Sequence, residues 1–188
     1  MTENDNLKSL LRLYLIDGLG PRTYCNLNAA FGSPCSVFSA TTKELRAIPG
    51  IGQHVADRIL SSNTSAAETV IEQCDQHDIE IITPGHEHFG DLLRETYTPP
   101  LLLFRRGVYE VELNCVAVVG TRRCSPYGRR IAREISNKLA DHGYTIVSGL
   151  AYGIDAAAHE GALESGGHTI AVLGSGLLQI YPRQHRDL

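Results

Sequence analysis

The chain has 188 residues, 43% of them hydrophobic and 20% charged, the make-up of one or two small globular domains and not of a disordered segment. Its 17 basic and 21 acidic residues leave a net charge of −4, and the opening MTENDNLKSL is polar and acidic. No apolar run reaches the ~18 residues of a membrane helix, so a secretory or membrane role is not expected. The five cysteines, Cys25, Cys35, Cys74, Cys115 and Cys124, are widely spaced without a CxxC pair, which argues against a zinc knuckle or a disulfide framework and for a reducing cytoplasm.

The first 62 residues read as short helices divided by glycine turns. Leu7, Leu10, Leu11, Tyr14 and Leu15 follow the i, i+3, i+4, i+7, i+8 pattern of an amphipathic helix, ended by Gly18-Leu19-Gly20-Pro21. A second helix runs to Phe31, with Gly32 as its stop. Thr41 and Glu44 have the spacing of a capping box, opening a short helix that leads into Pro49-Gly50-Ile51-Gly52, after which Val55, Ala56, Ile59 and Leu60 mark another. The turns Gly18-x-Gly20 and Gly50-x-Gly52 lie 32 residues apart between helical patterns, so the region reads as a duplicated unit. The second copy resembles a helix-hairpin-helix motif, in which glycine-turn amides can hold a nucleic-acid phosphate. No Lys or Arg cluster surrounds it, and Gly50 and Gly52 are read first as a packing turn.

Residues 65–112 read as a connector serving the domain that follows, with a helix around Val70, Ile71 and Cys74, a strand at Ile79–Ile82 and an extended run at Leu101–Phe104. His86 and His88 have metal-like spacing but no third ligand close in sequence, so they are read as a solvated turn and no metal is expected. Seven arginines (105, 106, 122, 123, 129, 130 and 133) face only Glu110 and Glu112 within residues 105–133, a local +5 in an acidic chain, and predict a focused anionic ligand.

From Asn114 the pattern changes to short apolar runs, Cys115–Val119, Thr145–Val147 and Thr169–Leu173, separated by helical stretches. This is the mark of buried parallel strands in a β-α-β-α-β half of a doubly wound sheet. Each strand ends in glycine, at Gly120, at Gly149, and at Gly174 with Gly176, where an open parallel sheet forms its ligand crevice. Ser125-Pro126 reads as an N-cap followed by proline at the first helical position, so Thr121, Arg122 and the helix start together face an anion. The GxGxxG fingerprint and a Walker A loop are both absent, and no acidic residue follows Val147-Ser148-Gly149, so no nucleotide cofactor is expected. Asp155 and His159 share a helix face at i, i+4. An acid–base role with Ser148 as nucleophile is available to them, but a structural pair that caps the helix and fixes the glycine turn is preferred.

The motifs Val116-Ala-Val-Val-Gly-Thr-Arg122, Tyr127-Gly128, Val147-Ser-Gly-Leu-Ala-Tyr-Gly-Ile-Asp155, Ala158-His159-x-Gly161-Ala162-Leu163, Thr169-Ile-Ala-Val-Leu-Gly174, Gly176-Leu177 and Tyr181-Pro182 together resemble the DprA/Smf family of bacterial DNA-processing proteins. The resemblance extends from about Leu7 to the last residue. It implies an α/β chain: a small helical domain of helix-hairpin-helix or SAM-like type at residues 1–64, and a Rossmann-like doubly wound parallel sheet from 113 to 188. It further implies a non-enzymatic recombination mediator that binds single-stranded DNA, protects it, forms a homodimer, and loads RecA during natural transformation. By position Arg122 resembles a DNA-binding arginine, with Gly120, Thr121, Arg123, Ser125, Ser148, Gly149 and Gly174 around it and Tyr127 offering a stacking surface. The chain departs from the family at Phe89-Gly90, Leu178 and His185. A competing reading is a Rossmann-like nucleotide-binding protein or a phosphoribohydrolase acting on a nucleotide derivative. Residues 114–188 supply only three strands in the half-sheet order 3-2-1, so the sheet is expected to be incomplete and its first strand to self-associate, unless Leu101–Phe104 folds back onto that edge.

Overall fold

Reciprocal packing of the two glycine turns organises the first half of the protein. The structure, a computed structural model, describes residues 3–108 and 114–188. Glu110 and Glu112 of the charge balance, and the expected boundary at 112/113, lie outside them. The chain divides into two compact units, Met1–Tyr109 and Glu110–Leu188.

In the first unit, α1 (Glu3–Tyr14), α2 (Pro21–Phe31), α3 (Pro34–Val37), α4 (Thr42–Arg46), α5 (Gln53–Ser61) and α6 (Ser65–Gln76) follow in order. Gly18 and Gly50 both have positive φ, at 87° and 94°, and Gly20 and Gly52 are the extended N-caps of α2 and α5, so the duplication read in the sequence is a structural one. Each turn sits against the other copy. The Asn26 amide of α2 donates to Pro49 O at 3.1 Å, and the Arg58 guanidinium of α5 donates to Asp17 O at 3.0 Å. A Cβ on Gly50 would lie 2.9 Å from Thr23 Oγ1, so this turn is occupied with packing. Gly32 caps α2 in the left-handed conformation, and Thr41 and Glu44 form the expected capping box.

The stripe of α1 is rotated from its sequence reading. Leu10, Leu11 and Leu13 are buried, whereas Tyr14 and Leu15 are exposed. A further element joins this core: β1 (Ile79–Ile82) pairs antiparallel with β2 (Leu103–Arg106), and Leu101, Leu102, Ile81 and Phe104 pack into it, Phe104 meeting the Tyr14 ring edge-on at 5.9 Å. The hairpin, with a 3-10 turn at Glu87–Phe89 and α7 (Asp91–Arg94) between its strands, therefore packs within the first unit. Leu103 and Phe104 pair with β1 and not with the edge of the second sheet.

The second unit is a three-stranded parallel sheet, β3 (Cys115–Ala117), β4 (Thr145–Ser148) and β5 (Thr169–Ala171), with β4 central. Its crossovers are α8 (Pro126–Asp141) and α9 (Ile154–Glu164). Ile146 is fully buried among Ala140, Ala158 and Ala162, with Val116 and Val118 against them. Only β4 is buried as expected for an interior parallel strand. Cys115, Ala117 and Ala171 are exposed, because the two helices cover the face that carries Val116 and Val118.

Candidate nucleic-acid interface

The loop after β3 is held in place by one carboxylate. Asp155, at the start of α9 and 7% exposed, accepts from the Gly149 amide at 3.1 Å and from the Gly120 amide at 3.3 Å, tying the turn after β4 to the turn after β3. The Ile154 amide donates to Thr121 O at 3.3 Å. That approach needs glycine at 153, where φ is +83° and a Cβ would stand 2.3 Å from the same carbonyl oxygen. Thr121 Oγ1 accepts the Arg123 amide at 3.2 Å, so the segment that presents Arg122 and Arg123 is pinned at several points.

These contacts revise several sequence expectations. The Gly120 and Gly149 amides serve Asp155, so they do not form an open backbone cradle. The buried Ser148 hydroxyl donates to Val118 O at 2.6 Å, joining the ends of neighbouring strands. α9 has no side-chain cap: Gly153 is its N-cap, and Asp155 acts on other turns. His159, buried in α9, pairs through Nδ1 with Thr169 Oγ1 at 2.6 Å, and that hydroxyl donates onward to Ile146 O at 2.8 Å. Its Nδ1 therefore carries the proton, and burial lowers its pKa, with Asp155 opposing and His185 adding to the effect.

A cleft of about 780 Å³ opens beside the pinned loop, lined by Arg122, Arg123, Cys124, Ser125, Pro126, Arg129, Tyr152, Gly153 and His185. Ser125 caps α8 as expected, its Oγ accepting the Gly128 amide at 3.1 Å, with Pro126 in the first turn, so the positive end of a 16-residue helix adds to the arginine charge. Gly174 and Tyr127 are exposed but do not line the cleft, and Tyr127 has the Arg130 guanidinium over its ring at 5.6 Å.

The basic segment does not form one patch. Arg129 and Arg133 pair with Glu160, Arg133 also with Glu164, Arg130 with Glu134, and Arg105 with Glu80. Apart from Glu134, four residues from Arg130 on α8, the counter-charges come from residues distant in sequence, invisible to a linear count. No ion pair involves Arg122 or Arg123 among the described residues, and both side chains are exposed at the cleft.

The sequence reading missed the aromatic wall. Tyr152 donates its hydroxyl to Gln184 Oε1 at 2.8 Å and meets the His185 ring at 5.2 Å and the Tyr181 ring at 6.4 Å, both edge-on. His185 Nδ1 donates to Leu150 O at 2.8 Å, which fixes the ring against the loop after β4. Tyr152 lies within a glycine-bounded motif, Leu150-Ala-Tyr-Gly153, and a bulky ring in such a turn was the available signal.

The family model described as DNA recombination-mediator protein A matches residues 80–188, and a SAM-like helix-hairpin-helix tandem matches residues 9–62. Protein Smf of a Synechocystis species is 35% identical over 179 residues, covering 92% of this chain and 45% of that protein. Protein Smf of Escherichia coli is 39% identical over 140 residues, covering 74% of this chain and 37% of that protein. The structure of DNA processing protein A from Streptococcus pneumoniae superposes with a TM-score of 0.76 at 27% identity, covering 99% of this chain and 62% of that one. The chain spans less than half the length of either Smf relative.

Proposed function

The chain belongs to the DprA/Smf family, DNA recombination-mediator protein A, and on that premise we propose that its second unit binds single-stranded DNA at the arginine cleft. The observation that supports this most is the pair Arg122 and Arg123: both exposed, pinned in position, and outside every ion pair among the described residues. Guanidinium forks take phosphate oxygens in a bidentate manner, and the α8 N-terminus adds positive potential at the same place. Tyr152, Tyr181 and His185 offer ring faces on which bases stack whatever their sequence. In this reading Gly120, Thr121, Gly149 and Asp155 hold the loop, Ser125 caps the helix that faces the phosphates, and Tyr127, Ser148 and Gly174 contribute less than the sequence pattern implied.

The protein acts as a mediator and not as an enzyme. In support, the Ser148 hydroxyl is engaged by a backbone carbonyl and His159 by Thr169, which leaves no nucleophile–base pair between them. Association as a homodimer, a cytoplasmic location, and delivery of the strand to RecA in transformation belong to the same proposal. No helix among the described residues is long and apolar enough to cross a membrane.

Titration with a labelled oligothymidylate, with duplex of equal length and with AMP tests the reading. Tight, salt-sensitive binding to the single strand that exceeds both other ligands is the expected result. Preference for AMP would replace it with a nucleotide-derivative enzyme, and preference for duplex would move the contact to the helix-hairpin-helix turns.

A further inference from the structure

We propose that Glu80, His86 and His88, in the first unit, bind a divalent transition-metal ion of the zinc class. The three side chains each offer a ligand atom, and these atoms lie within 4.8 Å of one another. Glu80 stands on β1 directly opposite Arg105 of β2, whose guanidinium holds carboxylate Oε2. Oε1 is thereby left toward the histidines, 3.3 Å from His86 Nε2 and 3.7 Å from His88 Nδ1. Two ligands bound at ~2.0–2.1 Å in tetrahedral geometry stand ~3.4 Å apart, so both glutamate–histidine separations lie within a few tenths of an ångström of that spacing, and the two imidazole nitrogens, within 4.8 Å of one another, close on the ion by side-chain rotation.

The loop that presents the histidines is built in advance. Arg94 donates to Pro84 O at 2.9 Å and to His86 O at 2.6 Å, and Phe89 is buried beside it at 2% exposure. The cluster itself is partly open, with its side chains 25% to 36% exposed, so an ion can enter and water can fill the fourth corner. Glu87 faces the opposite nitrogen of His88, Nε2, at 3.7 Å and is not that fourth ligand. Two imidazoles with one carboxylate favour Zn²⁺, Co²⁺, Ni²⁺ or Cu²⁺ over Ca²⁺ and Mg²⁺, which prefer oxygen alone. Two features weaken the site: the Arg105 charge repels a dication, and His86 Nδ1 accepts the His88 amide at 3.1 Å, a bond released when the imidazole proton moves from Nε2 to Nδ1. The bound ion would clasp β1 to the turn that follows it.

Zn²⁺ titration of the whole chain by calorimetry, with thermal melts with and without Zn²⁺, tests the proposal. Wild type is expected to bind one ion and to melt at higher temperature with it, because a ligand of the folded state stabilises by linkage. His86→Ala and His88→Ala should each weaken binding by about tenfold or more and lose the rise in melting temperature. Should either variant fold poorly, Co²⁺ absorption of wild type gives an independent reading, with visible bands and no thiolate charge-transfer band. Absence of binding, equal affinity in folded variants, or a thiolate band would overturn the site.

Discussion

Removing the Asp155 carboxylate should unfasten the cleft more than removing any residue that lines it. Asp155→Ala deletes the acceptor of two amides, that of the half-buried Gly149 at 3.1 Å and that of the exposed Gly120 at 3.3 Å. Losing a hydrogen bond to a charged group, the unpaired donor included, costs ~1.5–3 kcal/mol. The longer Gly120 bond is counted at the lower end of that range, giving a loss of about 3–4 kcal/mol for the pair. In a unit of this size each kcal/mol lowers the melting temperature by ~4–8 °C, so the transition of the second unit should fall by at least ~12 °C in scanning calorimetry of the whole chain. Asp155→Asn keeps the shape but can accept from only one glycine while turning an N–H₂ toward the other, so its loss should be smaller yet still ~2 kcal/mol. A melting temperature for Asp155→Asn within ~2 °C of wild type would refute the two-amide clasp.

Arg122→Ala and Arg123→Ala should each weaken single-strand binding without changing the melting temperature, and each should lower the slope of log affinity against log salt by about 0.7, read from fluorescence anisotropy at several salt concentrations. Tyr152→Ala should weaken the same binding by ~1–3 kcal/mol through lost stacking, whereas Tyr127→Ala, outside the cleft, should cost clearly less in the same titration. His159 supplies the pH dependence. Its pKa is lowered in the folded state by burial, so the unfolded chain binds the proton more readily. The neutral form's stability is therefore fully present above about pH 6.5 and is lost as pH falls below that value toward the folded-state pKa. Melting curves from pH 7.5 to 5 should show this loss for wild type and a shallower one for His159→Gln, and equal slopes would remove His159 as the cause.

Elements whose cause is local were legible in the sequence. The Thr41 and Glu44 capping box, the Gly32 stop, the Ser125-Pro126 helix start, the paired glycine turns and the strand at Ile79–Ile82 all follow from residues within one turn of each other. Backbone sterics and the unsatisfied amides of a helix end act over that distance, so the chain needs no partner to declare them. The motif order was equally legible, because the turns at the ends of parallel strands carry their glycines in the chain itself.

Contacts across long sequence separations were decided by the tertiary structure alone. Sequence reading placed Asp155 beside His159, but the fold gives its carboxylate to Gly120, 35 residues back, and gives His159 to Thr169. It counted seven arginines as one anion site, but Glu80, Glu160 and Glu164 neutralise three of them, Arg105, Arg129 and Arg133, from other elements, while Glu134 pairs with Arg130 within α8. It found two histidines without a third ligand, because Glu80 reaches them from a strand oriented by a pairing with β2. Propensity and periodicity describe what a segment can form, whereas charge pairing and hydrogen bonding depend on which distant groups burial of the common core brings within ~3–4 Å, a distance that appears only once the chain is folded.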